Sequence, residues 1–378
     1  MKAAIVGAGP AGSLLAFRLA GDGAHVTVFD ASHPREKPCG GGVTAKALAL
    51  LPPEPPDDPL PARRLSACRF ESGTGEAVEL RLERPVAVAA RLELDGWLLR
   101  RATAAGASHV AERVVDVDVA GHVRTDAGPR GRFDIVVGAD GAGSLVRRTF
   151  LAPVPKERLV VAAGWFAPGT SPMLVRFTPG LAGYLWLFPR PDHVGVGICA
   201  PLASIPTRDL LARLEREVAR SFPALVVGDG GRYAHTIPSL PAEPGSIREI
   251  AGERWALVGD AAALADPITG EGIYYALRSA AVLADVLRTD GCPTRYPVRA
   301  LEDFGHELLK AAAIRERFYA PGFVRRMVDY SARSRALRDV LADLVLGDQG
   351  YVGLKWRLLR AGPRFLWQAG LSHLLPAA

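Results

Sequence analysis

The sequence predicts an α/β protein that combines a Rossmann-like nucleotide-binding unit with strand-rich, mixed α+β segments and a C-terminal helical segment. Three observations lead to this prediction. The chain opens with a strand, a glycine-rich turn, a helix and a second strand. Two later strands, near residues 135 and 255, each run into a turn that contains glycine and aspartate. Strand-rich stretches separate these segments, and the pattern is helical from Glu302 onward.

The first glycine motif, Gly-Ala-Gly-Pro-Ala-Gly at residues 7–12, joins a strand predicted at 2–7 to a helix predicted at 11–21. Its glycines allow a sharp turn, the approach of a diphosphate to bare backbone, and close packing of helix on strand. Asp30 ends the second strand 18 residues beyond Gly12, where a carboxylate can bind both hydroxyls of a ribose. The motif predicts dinucleotide binding. The alternative is a turn that only connects strand and helix.

Two further motifs follow strands in the same way. Residues 138–141 read Gly-Ala-Asp-Gly, and residues 259–273 begin with Gly-Asp and end with Gly-Glu-Gly-Ile. In the third motif Asp260 can reach a sugar hydroxyl, Pro267 shapes the loop, and Gly270 and Gly272 open a helix. The N-terminus of that helix would stabilise negative charge on a ligand. Each aspartate could instead cap a turn.

The remaining segments are assigned from periodicity and turn signals. They are a proline-rich loop at 51–61, antiparallel strands at 64–90, a helix at 91–106, several strands at 158–200, an amphipathic helix at 207–222, and a strand, loop and long helix at 254–287. The histidines show no triad or metal spacing, and we expect His25, His193 and His235 at the surface or in loops.

Composition and charge restrict the class of protein. Of 378 residues, 49% are hydrophobic and 23% charged, which is typical of a folded protein of two or three domains. The net charge of +6 is dispersed and suits an anionic small ligand; no nucleic-acid motif accompanies it. No uncharged apolar run could cross a bilayer, so membrane contact would be peripheral. The four cysteines form no C-x-x-C pair or zinc spacing, which favours a reducing cytoplasm and no metal.

The order of the motifs resembles the FAD-dependent oxidoreductases of the p-hydroxybenzoate hydroxylase superfamily, and within it the geranylgeranyl reductase family. The superfamily resemblance rests on residues 7–12 with Asp30, on 138–141 and on 259–273. The narrower resemblance rests on Lys-Pro-Cys-Gly-Gly-Gly-Val at 37–43 and on Tyr-Leu-Trp-Leu-Phe-Pro at 184–189. The spacer from that proline to the following Gly-x-Gly is shorter than the family usually has.

The resemblance implies a discontinuous FAD-binding domain of glutathione-reductase type 2, formed by residues 1–60, 91–155 and 250–295. It places the substrate domain at 61–90 and 156–249 and a helical region at 296–378. It implies FAD as cofactor and NAD(P)H, or another carrier, as reductant. The cofactor-binding residues it implies are Gly7, Gly9, Pro10, Ala11, Gly12, Asp30, Ala31, Lys37, Cys39, Gly40, Gly41, Gly42, Val43, Arg91, Val115, Ala139, Asp140, Gly141, Gly259, Asp260, Pro267, Gly270, Glu271, Gly272 and Ile273.

The catalytic residues that the resemblance implies are Cys39, Tyr184 and Trp186. The glycines after Cys39 would let the main chain pass close to the flavin. The thiol would pack as a small apolar group, donate a proton to the substrate, or link covalently to the cofactor. Tyr184, Trp186 and Phe188 share one strand face, as a wall for a long apolar chain or as core; their neighbours Leu185 and Leu187 would be buried elsewhere.

Two smaller features keep alternatives open. Arg35 and Lys37 either meet a phosphate or NAD(P)H, or lie in a solvated charged loop. Among the last helices, Trp356, Phe365, Leu366 and Trp367 alternate with arginines, a pattern that suits a membrane surface, closure of the pocket or packing on the FAD domain. We expect packing. The oligomeric state is not indicated.

The activity implied is hydride transfer from reduced flavin to C=C bonds of a prenyl or related hydrophobic substrate. The first alternative is a flavin monooxygenase acting on an aromatic or secondary metabolite; such hydroxylases commonly carry a histidine after Gly-Asp, and residues 259–264 have none. The second is a flavin halogenase, whose usual Trp-x-Trp-x-Ile-Pro is here Tyr-Leu-Trp-Leu-Phe-Pro. The third is a non-catalytic flavin- or lipid-binding protein.

Overall fold

The computed structural model describes residues 1–320 and 322–361. The strands, in chain order, are β1 (Lys2–Val6), β2 (His25–Phe29), β3 (Gly42–Val43), β4 (Ala62–Glu71), β5 (Ala77–Ala89), β6 (Ser108–Val110), β7 (Val114–Val117), β8 (His122–Thr125), β9 (Gly128–Arg132), β10 (Ile135–Gly138), β11 (Leu159–Pro168), β12 (Leu174–Phe177), β13 (Tyr184–Pro189), β14 (His193–Pro201), β15 (Arg232–Pro238) and β16 (Trp255–Leu257).

The helices are α1 (Pro10–Gly21), α2 (Ala45–Leu48), α3 (Arg91–Ala104), α4 (Leu145–Phe150), α5 (Thr207–Ser221), α6 (Ile273–Thr289), α7 (Tyr296–Ala300), α8 (His306–Phe318), α9 (Phe323–Arg333), α10 (Arg335–Leu346) and α11 (Leu354–Ala361). A π-helical turn, Leu301–Gly305, joins α7 to α8. The predicted elements agree with these bounds to within a few residues. Phe365, Leu366 and Trp367 lie outside the described residues.

A parallel five-stranded sheet, in the order β16-β10-β1-β2-β6, carries all three glycine motifs. Its central strand β1 is buried after Lys2, as expected for a parallel sheet covered on both faces. Helix α1 packs against α3 and α6 beside this sheet. Because each motif directly follows a strand, the carboxyl ends of β1, β2, β10 and β16 bring the motifs to one edge of the sheet.

An eight-stranded mixed sheet, in the order β15-β11-β14-β13-β12-β4-β5-β3, packs beside the first. One face of it is covered by α5, whose Leu210, Leu214 and Val218 are spaced at helical intervals and pack with Leu185 and Leu187. This confirms that the leucines of β13 are buried elsewhere. The aromatic residues of β13 therefore lie on the opposite face. A small antiparallel sheet, β7-β8-β9, completes the strand structure.

The C-terminal helices cover the aromatic face of the eight-stranded sheet. Helices α9 and α10 pack on β5, and Val328, Leu341 and Leu346 are buried with Phe70 and Leu80. Helix α11 packs on α10. Its Trp356 side chain is 57% exposed, so the packing of α11 does not bury this tryptophan. Among the helices described, none has the length and apolar character that a bilayer crossing requires.

Candidate active site

A cavity of about 900 Å³ lies where the motif-bearing edge of the parallel sheet meets the uncovered face of the eight-stranded sheet. This volume is at the upper end of the range for small-molecule sites. Its nucleotide arm is lined by the three glycine motifs, Arg35, Lys37, Arg91, residues 112–115 and Arg148. Its apolar arm is lined by Cys68, Phe70, Val86, Met173, Val175, Phe177, Phe318, Met327, Leu341, Leu344, Val345 and Tyr351.

The first glycine turn has no room for side chains. Gly7 has a φ of +103°, and a Cβ there would stand 2.4 Å from the Ala139 carbonyl oxygen. A Cβ at Gly12 would stand 1.9 Å from the Gly7 carbonyl oxygen, so Gly12 serves helix–strand packing and does not line the cavity. The bare backbone between them faces the nucleotide arm, as a bound diphosphate requires.

Two arginines and one aspartate lie beside this turn. The buried Arg91 donates from Nε and Nη2 to the carboxylate of Asp95 at 2.7 and 2.6 Å, and Arg35 approaches the same carboxylate at 3.7 Å. Burial alone would lower the pKa of Arg91, but Asp95 outweighs burial and raises it. Two cations share one anion here, which leaves a positive charge suited to a diphosphate.

Asp30 holds the turn as well as facing the cavity. One oxygen accepts the Ala8 N–H at 2.9 Å, and the other accepts from the backbone and hydroxyl of Ser32. Burial opposes ionisation, but the hydrogen bonds from Ser32 and Ala8 outweigh it and lower the pKa of Asp30. The oxygen that accepts from Ala8 has a second lone pair free, so these contacts are compatible with a bond from a ribose hydroxyl.

Asp140 does cap a turn, as the alternative held. Its Oδ2 accepts from the N–H of Leu145 at 2.7 Å and of Val146 at 3.4 Å, at the start of α4. Its Oδ1 is buried without a protein partner, and burial raises the pKa of this carboxyl. One oxygen is therefore structural, and the residue as a whole also lines the cavity.

A polar cluster of Lys37, Asp260 and His235 stands in the nucleotide arm. Lys37 Nζ lies 2.9 Å from Asp260 Oδ2. Burial opposes ionisation of Asp260, but the charge and hydrogen bond of Lys37 outweigh it and lower the pKa of Asp260. Burial, with the cation of Lys37, lowers the pKa of His235 to about 4. The imidazole is therefore neutral near pH 7.

His235 corrects the sequence interpretation, which expected a surface or loop residue. It lies on β15, lines the cavity, and has a buried Nε2 without a protein partner. The signal that could have found it is the alternation of Tyr233, His235 and Ile237, which places them on one strand face. Sequence reasoning also missed Arg190 and Glu36.

Arg190 anchors the segment that contains Cys39. This arginine is 1% exposed, and donates from Nη2 to the Cys39 carbonyl at 2.8 Å and from Nη1 to Glu36 at 2.9 Å. The Glu36 carboxylate also accepts the N–H groups of Arg91 and Leu92, and so caps α3. The segment is thereby fixed to both sheets.

The glycines after Cys39 are required by the protein itself. Gly41 has a φ of +80°, and a Cβ there would stand 2.1 Å from the Ala89 carbonyl oxygen. A Cβ at Gly40 would stand 2.7 Å from the Phe188 ring. Cys39 is half-buried, lines the cavity, and accepts the Gly41 N–H on Sγ at 3.3 Å.

The aromatic residues of β13 separate the two arms. Trp186 is 5% exposed, and its ring fills the space where a Cβ at Gly197 would stand 2.1 Å away. The Tyr184 hydroxyl donates to the Thr269 carbonyl, and burial raises the pKa of Tyr184. Cys199 beside it is also buried, which raises its pKa to about 11. These side chains are both core and cavity wall.

The loop after Asp260 is tied down by its own contacts. Glu271 accepts the Thr44 hydroxyl at 2.8 Å and pairs with Lys46 at 2.8 Å, so its carboxylate is already engaged. Pro267 and Val43 are buried and, like Gly12, do not line the cavity. Every other predicted site residue lines it, so the fold brings the three motifs, Cys39 and the β13 aromatics together.

The residues present fit a flavin dinucleotide. Glycine backbone and a positive charge stand where its diphosphate would lie. Four lining residues carry buried polar atoms that have no hydrogen-bond partner within the protein, and such atoms are costly unless a ligand or water pairs with them. They are Arg35 Nη1, Asp140 Oδ1, Trp186 Nε1 and His235 Nε2.

A parallel sheet with glycine motifs on one edge, opening onto an apolar arm, defines a flavin-dependent oxidoreductase. Residues 5–45 match the NAD(P)-binding Rossmann-like domain. The chain is 30% identical over 93% of its length to the menaquinone reductase of Mycolicibacterium smegmatis, of which it covers 94%. It is 29% identical over 79% of its length to the geranylgeranyl diphosphate reductase of Synechocystis, of which it covers 78%. The chain belongs to the geranylgeranyl reductase family of FAD-dependent oxidoreductases.

Solved structures agree with this fold. A geranylgeranyl bacteriochlorophyll reductase-like protein from Thermoplasma acidophilum superposes with a TM-score of 0.75 at 21% identity, over 97% of this chain and 98% of that one. A flavin-dependent brominase superposes with a TM-score of 0.72 at 20% identity, over 92% and 94%. At such identities the likeness concerns the fold alone.

Proposed function

We propose that this protein is an FAD-dependent reductase that saturates C=C bonds in a prenyl chain or a related hydrophobic substrate. The observation that carries the proposal is the apolar arm. Most of its residues come from β4, β5, β12 and α8–α10, and all except Leu344 and Tyr351 belong to one hydrophobic cluster. Such a lining binds a hydrocarbon chain by removing it from water. Relatives named menaquinone reductase and geranylgeranyl diphosphate reductase support this substrate class.

Reduction adds one hydride and one proton across each double bond. Bound flavin, once reduced by NAD(P)H or another carrier, supplies the hydride and so gives up two electrons. The aromatic wall of β13 excludes water and orients the chain. We assign proton donation to the Cys39 thiol, whose sulfur lines the cavity side of this segment and accepts the Gly41 N–H at 3.3 Å. Tyr184 is directed at the Thr269 carbonyl and is assigned to the wall.

The organisation of the chain is proposed on the same grounds. The FAD-binding domain takes residues 1–60, 91–155 and 250–295, the substrate domain takes 61–90 and 156–249, and the helical region starts at 296. The division is supported by the two main sheets, except that β3 within 1–60 joins the eight-stranded sheet. We place the protein in the cytoplasm with peripheral access to membranes, because its substrate class is hydrophobic.

The test is a product mass measurement. The holoprotein, reduced anaerobically, is incubated with polyprenyl acceptors, and we expect products heavier by pairs of hydrogens. Leu344→Trp fills the apolar arm and should lower turnover at least tenfold with full FAD content. Val119→Trp, at a side chain that is 77% exposed, is the matched control and should leave turnover unchanged. A parallel incubation admits air; products heavier by an oxygen atom there, formed with consumption of dioxygen, and no gain of hydrogen in the anaerobic incubation would contradict the proposal.

A further inference from the structure

All the cations that line the cavity belong to its nucleotide arm. They are Arg35, Lys37, Arg91, Arg113 and Arg148. Within the part of the chain that the structure describes, the lining of the apolar arm contains no lysine, arginine or histidine. The charge is thus divided unequally between the arms. The nucleotide arm carries the ionic groups, and the described lining of the apolar arm consists of apolar side chains, the Cys68 thiol and the Tyr351 phenol.

The cations of the nucleotide arm already have partners or a place in FAD binding. Lys37 pairs with Asp260 at 2.9 Å, and Arg148 donates to the Gly143 carbonyl. Arg35 and Arg91 share Asp95, and the charge left over stands beside the glycine turn, where the cofactor diphosphate would lie. Arg113 is exposed to solvent. With FAD bound, Lys37, Arg35 and Arg91 are therefore engaged, while Arg113 and Arg148 are exposed side chains of the nucleotide arm and not of the apolar arm.

The polar groups of the apolar arm cannot take up this role. Burial raises the pKa of the Cys68 thiol to about 12, so it remains neutral. The Tyr351 hydroxyl hydrogen-bonds to the buried Asp266, a carboxyl whose pKa burial raises. A buried phosphate needs cations or several N–H donors, and without them it is strongly disfavoured.

We propose that the substrate is a prenyl lipid whose headgroup is uncharged, such as a quinone or an alcohol, and that a prenyl diphosphate of the same chain is discriminated against. This inference rests on the proposed reductase function. Its physical basis is that an uncharged headgroup can follow its chain into the apolar arm, whereas a diphosphate would enter it unpaired.

Matched substrates with one chain and different headgroups test the proposal. The reduced holoprotein is given geranylgeraniol, geranylgeranyl diphosphate, or a menaquinone that bears the same geranylgeranyl chain. Air oxidation before mass spectrometry returns any quinol to the quinone, so that only chain saturation is counted. We expect at least tenfold faster saturation of the alcohol or the menaquinone than of the diphosphate. Their relative rates tell which uncharged headgroup is preferred.

Binding is measured separately from turnover, through the change that each lipid causes in the visible spectrum of the oxidised flavin. We expect a dissociation constant at least tenfold higher for the diphosphate than for the alcohol. Leu344→Lys places a cation in the apolar arm and should shift the preference towards the diphosphate, while Leu344→Met should keep it. If the wild-type protein favours the uncharged lipids over the diphosphate by less than tenfold, in saturation rate and in binding, this inference is overturned and the reductase function stands. Saturation of none of the lipids by a fully reducible flavin overturns both.

Discussion

Replacing Arg190 with methionine should release the segment that carries Cys39. The guanidinium lies buried between β13 and β14 and holds the Cys39 carbonyl and the Glu36 carboxylate. It also stacks over the Phe166 ring, with Cζ 4.5 Å from the ring centroid. Methionine keeps much of the apolar volume but removes every donor. Both oxygen partners therefore lose their bond to this side chain.

The structure sets the expected magnitude. Removing one partner of a buried ion pair costs about 3 to 5 kcal/mol, because the other charge stays behind without it. The Glu36 side chain is 27% exposed and keeps two backbone N–H donors, which places the cost near the lower limit, at about 3 kcal/mol. The freed segment lines the nucleotide arm, so FAD should also bind more weakly. For each 1.4 kcal/mol of FAD binding free energy that is lost, the dissociation constant should rise about tenfold.

Urea unfolding of the holoprotein, followed by circular dichroism, measures the first effect, and flavin fluorescence on dilution measures the second. Arg208→Met is the control, because that side chain is 87% exposed and its ion pair with Asp209 lies at the surface. Arg190→Lys keeps the charge but not the fork of donors, so its unfolding free energy and its FAD affinity should lie between those of wild type and of Arg190→Met. An unfolding free energy of Arg190→Met within about 1 kcal/mol of wild type, with unchanged FAD affinity, would refute the assigned anchoring role.

Two further predictions concern the nucleotide arm. Gly41→Ala should abolish tight FAD binding, because its Cβ would stand 2.1 Å from the Ala89 carbonyl oxygen. Gly230→Ala is the control and should bind FAD normally, because no atom lies within 4 Å of the added Cβ. Equal FAD content in the two purified variants would contradict this prediction. The folded-state pKa of His235, about 4, lies below its unfolded value of 6.5, so the stabilisation from the neutral imidazole is present above pH 6.5 and is lost as the pH falls to 4. Unfolding free energies measured across that window should decline more steeply, by about 2 to 3 kcal/mol in total, in wild type than in His235→Gln; parallel curves would contradict the burial of a neutral imidazole.

Much of the nucleotide arm followed from local sequence. Gly7 and Asp30 directly follow a strand, and Asp140 and Asp260 come within three residues of a strand end; parallel strands present their carboxyl ends at one edge. Strand periodicity likewise placed the aromatic residues of β13 opposite its leucines, which pack with α5. Such predictions succeed because they depend only on the backbone period and on the position of a residue within its own element.

Tertiary structure decided the rest. The ion pair of Arg190 with Glu36 joins residues 154 positions apart, and no local period signals it. The apolar arm unites β4, β12 and α10, so its shape and lack of cations depend on how distant elements pack. His235 looked like a loop residue until β15 joined the sheet and carried it to the cavity. Local sequence is enough to indicate which residues end strands and turn into helices. Only the folded chain decided which distant side chains meet, because such contacts arise from the packing of whole elements.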